Sequence, residues 1–146
     1  MKRTTIGMAV LAAGFSGLAL AADFGTEKEA RAMLEKAVAE MKKDKKAAIG
    51  KFNKADGGFR DRDLYVFCAT PDGNTTAHPS HVGNNMKTTK DAKGKAFGEE
   101  MFKVAEEGKF KQVAYQWPKP GAKEPSDKVS YVTKVAGEIC GVGYYK

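Results

Sequence analysis

The chain has 146 residues, of which 42% are hydrophobic and 29% charged, with two cysteines and a formal charge of +7. That balance describes a globular domain with a core and excludes fibrous, low-complexity or disordered classes. The positive excess is spread out, apart from Lys42-Lys43-Asp44-Lys45-Lys46; this run reads as a solvated helix face, since net charge tunes association and not fold.

The first predicted element is an export signal. Lys2 and Arg3 precede an uncharged apolar stretch from Ile6 to Ala21, and Ala19-Leu20-Ala21 places small residues where signal peptidase reads. The stretch is shorter than the roughly 18 to 20 apolar residues a spanning helix needs. Cleavage near Ala21 is therefore expected, with residues 1–21 as signal peptide and 22–146 as one periplasmic domain. Removing 21 of 146 residues leaves 125, and losing Lys2 and Arg3 takes the charge from +7 to +5. A chain of that length buries about two thirds of its unfolded surface as a single domain. Export also argues against a nucleic-acid partner.

One long helix comes next. Thr26 with Glu29 fits a capping box, and Ala30, Met33, Leu34, Ala37, Val38, Met41, Ala48, Ile49 and Phe52 recur at helical spacing until Asp56-Gly57-Gly58. Leu64 to Thr70 is rich in aromatic and β-branched residues and runs into the turn Pro71-Asp72-Gly73-Asn74, with Thr75 to His78 as the returning strand. Residues 81–93 read as a loop over the sheet, and Phe97, Met101, Phe102, Val104 and Ala105 as a short helix ended by Gly108. Three strands close the chain: Phe110 to Trp117, Val129 to Val135 and Glu138 to Tyr145, the first two joined by the proline-rich loop 118–125. The fold class is α+β: an antiparallel five-stranded sheet of PAS-like element order, with a long N-terminal helix and a short helix between strands two and three.

Catalytic and metal chemistry find little support. His78 and His81 are three apart, but Pro79 between them denies helical geometry, so no metal site is expected. There is no Cys-x-x-Cys-His string for haem and no nucleophile elbow around Ser80, Ser126 or Ser130. No cofactor and no enzyme activity are predicted.

The strings DLYVFCATPDG, AHPSHVGNN, KDAKGKAF, AYQWPKP, KVSYVTKV and GVGYY, in this order, resemble the single Cache domain of the second type, the extracytoplasmic sensing module of many bacterial chemoreceptors and sensor kinases. The likeness runs from about Ala47 to Tyr145. It rests on Ala77-His78-Pro79 with Gly83, Asp91 and Gly94, Tyr115-x-Trp117-Pro118, Lys128 with Tyr131-Val132, and Gly141 to Tyr145. The resemblance implies a pocket between one sheet face and the loops and short helix above it, taking small organic anions such as short-chain carboxylates. Its members usually continue into a transmembrane helix and a signalling domain, whereas this sequence stops at Lys146, so a membrane-bound receptor, kinase or uptake partner is expected.

On that basis the candidate ligand-binding residues are His78, Tyr115, Trp117, Lys128 and Tyr131. Tyr115 and Trp117 share a strand face and form an aromatic wall; Lys128 supplies a point charge for a carboxylate and His78 a hydrogen-bond donor. Lys128 and Tyr131 lie an odd number of positions apart, so both reach the pocket only if Lys128 belongs to the incoming loop. Asn84, Asn85 and Met86 form a candidate lid. Cys68 and Cys140 fall on strands that are neighbours in a PAS-like sheet, which makes them a disulfide candidate, with two buried thiols as the alternative. The rival function is a structural module that homodimerises through its N-terminal helix and binds no ligand.

Overall fold

The computed structural model describes residues 23–146; the expected signal peptide and its cleavage position lie outside the described residues. The capping box forms: Thr26 Oγ1 accepts the Glu29 N–H at 3.2 Å and Glu29 Oε2 accepts the Thr26 N–H at 2.7 Å. The long helix, however, is two helices, α1 (Glu27–Lys43) and α2 (Lys45–Lys54). Asp44 separates them in an extended conformation (φ −157°, ψ 100°). Its N–H closes α1 on the Glu40 carbonyl, and its carboxylate caps α2 by accepting the Ala47 N–H at 3.0 Å. An aspartate gains more as an N-cap than inside a helix, so the lysine run marks a break in the apolar stripe.

Six strands follow, one more than expected. β1 (Arg60–Asp61), β2 (Leu64–Ala69), β3 (Thr75–Ala77), β4 (Lys111–Pro118), β5 (Pro125–Val135) and β6 (Glu138–Tyr145) form an antiparallel sheet, with α3 (Phe97–Val104) between β3 and β4. The order is β1-β2-β6-β5-β4, with β3 also paired to β2. β5 begins at Pro125, four residues before the expected start, because Pro125 pairs with Pro118 at the loop end of the β4–β5 hairpin, where missing N–H donors interrupt no ladder. Ala136 and Gly137, both at positive φ (51° and 77°), make the two-residue turn from β5 to β6.

Each face of the sheet is covered. On one side α1 lies across β5 and β6 and α2 across β2 and β3, burying Ala30, Leu34, Ala37 and Phe52 against Leu64, Val66 and Val142. On the other, Tyr65, Phe67 and Val132 pack under Met86, Phe97 and Met101. Every residue of β2 is buried, which is why that strand reads as an unbroken apolar run.

Cys68 and Cys140 stand directly opposite each other on β2 and β6 and are bonded to each other, the two being 72 residues apart in sequence. Closing a loop of that length restricts the unfolded chain by about 4 kcal/mol in the chain-entropy account. Urea unfolding with and without reductant is expected to differ by that amount; coincident midpoints would contradict the contribution.

Candidate functional site

Four segments converge on the face of the sheet opposite α1. β2 presents Tyr65 and Phe67, the turn after β3 presents His78 and His81, α3 presents Phe97 and Met101, and β4 presents Tyr115 and Trp117. Together with Met86 they line a cavity of about 300 Å³. The aromatic rings form a near-continuous belt. Phe97 stacks on Tyr115 (centroids 4.1 Å), Trp117 meets Phe97 edge-on (5.5 Å) and approaches His81 (5.4 Å), His81 meets His78 (4.6 Å), and His78 meets Tyr65 (4.9 Å). Such contacts give the walls defined positions as well as apolar area.

Local hydrogen bonds hold the loops that close this space. Asn53 of α2 donates to the Thr76 carbonyl at 2.8 Å and accepts the His78 N–H at 3.2 Å, clamping the end of β3. Asp91 Oδ1 accepts the N–H groups of Lys93 and Lys95 at 2.9 Å, while Oδ2 accepts the Gln116 N–H at 3.0 Å. The Asp-x-x-Gly string is thus a turn, with Gly94 at φ +80°, that docks the long loop onto the exposed edge of β4. Met86 donates its N–H to the Gly73 carbonyl at 2.8 Å, and its own carbonyl lies against Gly98, where a β-carbon would come within 2.0 Å.

His78 is neutral. Burial first, then the nearby His81, Lys128 and Arg60, push its pKa down to about 3. Its Nδ1 accepts the Ser80 N–H at 3.1 Å, so the ring proton resides on Nε2 and the side chain is a fixed donor. The Pro79 turn brings the two imidazoles together without a helix, Nδ1 to Nδ1 at 3.3 Å. Among the described residues, no group of three or more potential metal-ligating side chains gathers there or elsewhere.

Lys128 is 1% exposed. It lies in regular strand opposite Tyr115 and Tyr145, crosses the bare backbone of Gly143, and donates from Nζ to the Tyr65 hydroxyl at 2.7 Å. The ammonium also sits 4.1 Å from the Tyr65 ring centroid and 4.9 Å from that of Tyr145, within cation–π range. Burial pushes its pKa down to about 7, with partial opposition from the Asp63 carboxylate. Lys128 therefore stands behind Tyr65: it polarises the hydroxyl that lines the cavity and does not line the cavity itself.

Tyr131 does not belong to this site. Because β5 starts at Pro125, Lys128 is already in strand, and a residue three positions on points to the other face. There the Tyr131 hydroxyl donates to Glu27 Oε1 at 2.6 Å, beneath α1. Tyr115 is more wall than contact, its hydroxyl held by Ser130 Oγ at 2.9 Å. Sequence reading did not single out Tyr65, His81, Phe97 and Met101 as ligand contacts. Tyr65 and Phe67 carry a signal, two aromatics on one strand face, but the apolar residues around them obscure it.

The described residues 24–145 match the family model described as Single Cache domain 2, and the chain belongs to that family. It is 38% identical over 71 residues to the methyl-accepting chemotaxis protein McpP of Pseudomonas putida, covering 47% of this chain and 13% of that one; the match thus spans about an eighth of the relative. Its fold is similar to that of a methyl-accepting chemotaxis protein from Vibrio parahaemolyticus (TM-score 0.65, 24% identity, 81% of this chain and 86% of that one). It is similar as well to a periplasmic sensor domain of a chemotaxis protein (TM-score 0.60, 23% identity, 81% and 88%). A third similar structure is a Cache chemosensory domain solved for its carboxylic acid recognition (TM-score 0.59, 26% identity, 81% and 86%). Sensor domains of this kind bind ligands and do not catalyse reactions, and no helix among the described residues is long and apolar enough to cross a membrane.

Both depressed bases act in the same direction on stability. In the folded state His78 and Lys128 bind protons less readily than in the unfolded chain, so stability rises with pH from about 3 to 6.5 through His78, and from about 7 upwards toward 10.5 through Lys128. Urea unfolding between pH 7 and 9.5, below tyrosine ionisation, is expected to show a rise of up to about 1.4 kcal/mol per pH unit. Lys128→Met is expected to flatten that rise; an unchanged slope would remove Lys128 as its source.

Proposed function

We propose that residues 1–21 export this protein and that residues 22–146 act in the periplasm as a single sensor domain, which binds a small organic anion and presents the occupied form to a membrane-bound signalling or uptake partner. The observation that carries the reading is the polar end of the cavity. The Tyr65 hydroxyl, backed by the buried Lys128 ammonium, and the neutral donor His78 stand together in a mainly aromatic wall whose lining also includes Lys90, Thr75, Asn84 and Thr89. A carboxylate there accepts the Tyr65 O–H, and the lysine behind it, paired in the free protein with a neutral phenol, gains a nearby negative charge. Charge-assisted hydrogen bonds of this type are stronger than neutral ones and favour ionised acids over alcohols of the same shape. The carboxylic acid recognition for which a similar Cache domain was solved supports the same ligand class.

The rival reading, a ligand-free module dimerising through its N-terminal helix, has less support. The apolar stripe of α1 is buried on its own sheet through Ala30, Met33, Leu34, Ala37 and Met41, so the surface that dimerisation would use is already occupied.

Thermal-shift and calorimetric titration with small carboxylates test the proposal. Ligand at 100 times its dissociation constant is expected to add about 2.7 kcal/mol of stability. Lys128→Met is expected to weaken binding by about one to two powers of ten, the loss of a charge-assisted bond worth roughly 1.5 to 3 kcal/mol, whereas Tyr131→Phe leaves affinity unchanged. If no small anion moves the melting curve at millimolar concentration, the interaction module replaces the receptor.

A further inference from the structure

Resting on the anion-binding reading above, we infer that the ligand is a monocarboxylate with an apolar tail of about six to eight carbons, aryl or branched alkyl, held between Phe67, Phe97, Met86 and Met101. Size is the first argument. The cavity encloses about 300 Å³, and an apolar cavity half as large accommodates benzene. A two-carbon acid would leave most of this chamber empty, with its apolar walls unpaired to any atom.

Polarity orients the ligand. A second, outer chamber of about 380 Å³ shares Tyr65, His78, His81, Lys90 and Trp117 with the inner one. Phe67, Phe97, Met86 and Met101, which cluster with one another in the core, line the inner chamber alone, along with Thr75, Asn84 and Thr89. Lys90 is the single formally charged residue in the inner lining, among the described residues, and it belongs to that shared boundary. A second carboxylate pushed among Phe67, Phe97, Met86 and Met101 would meet thioethers and phenyl rings and lose its hydration without a partner there.

The apolar end is a built wall. Gly98 admits the Met86 carbonyl so closely that a β-carbon there would come within 2.0 Å, and the Met86 N–H is held by the Gly73 carbonyl at 2.8 Å. The backbone of the long loop is thereby pinned to α3, while the unbranched methionine side chains adapt to the shape of the tail.

Calorimetric titration of the full exported chain with acetate, butanoate, hexanoate, phenylacetate and succinate at equal ionic strength tests the inference. Affinity is expected to rise about fourfold per methylene until the chamber fills, with succinate weaker than butanoate. Met101→Phe, which fills the inner end, is expected to weaken phenylacetate at least tenfold and leave acetate within twofold; Met86→Phe gives the same test if the first variant fails to fold. Acetate binding as tightly as hexanoate and phenylacetate, or succinate as tightly as butanoate, would overturn the tail and leave the anion site standing. Failure of every acid in the series at millimolar concentration would overturn the anion site as well.

Discussion

The geometry of this domain depends on the register of its two central strands. β2 and β6 are buried on both faces, and Cys68 opposite Cys140 ties them at one position. Because side chains alternate along a strand, that register decides everything else on the sheet. It sends Leu64, Val66 and Cys68 toward α1 and α2, and Tyr65 and Phe67 toward the cavity. A slip of one residue would exchange the two sets, placing a tyrosine hydroxyl under the helices and a cystine in the cavity. The same alternation on β5 puts Lys128 on one side and Tyr131 on the other.

With the register set, a buried cation becomes the chief electrostatic fact of the cavity face. Lys128 is almost fully removed from water, and its hydrogen bond goes to the neutral Tyr65 hydroxyl and not to a carboxylate. Burial lowers its pKa to about 7, so the charge is held near the point of loss, where a nearby anion has most influence over it. Gly143 makes the arrangement sterically feasible: an added β-carbon would come 2.3 Å from both Lys128 Cε and Ser130 Oγ. Three neighbouring strands thus supply one relay, a lysine on β5, a bare backbone on β6 and a tyrosine on β2.

The loop from His78 to Ala96 turns that face into an enclosed site. Its anchors are local and specific: Asn53 on the end of β3, Asp91 on the edge of β4, and Met86 between Gly73 and Gly98. Each joins a residue type that favours turns or close approach to a backbone group that would otherwise lack a partner. The segment is long and polar, yet it has a defined place over the sheet. The aromatic belt below it, from Tyr65 through His78 and His81 to Trp117, gives the cavity a rigid rim.

By itself the sequence determined the α+β class, the element order, the helix start at Thr26, the hairpin turns and the family, because these rest on local signals: capping oxygens, turn residues, periodicity and short strings of neighbouring residues. It also carried the aromatic pair Tyr115 and Trp117, whose spacing of two is a property of any strand. It did not reveal the break at Asp44, where capping outcompetes the continuing apolar stripe, nor β1, too short to leave a pattern. The positions of Lys128, Tyr131 and Tyr65 relative to the cavity were decided only by tertiary structure. They turn on where β5 begins, and that follows from the pairing of Pro118 with Pro125 across a hairpin. A side chain's face is local once its strand is placed, but its partner across the sheet is 63 residues away for Lys128 and Tyr65. Such a contact has no signature in the order of neighbouring residues, because it is fixed by hydrogen-bond register and by burial, which only the assembled sheet supplies.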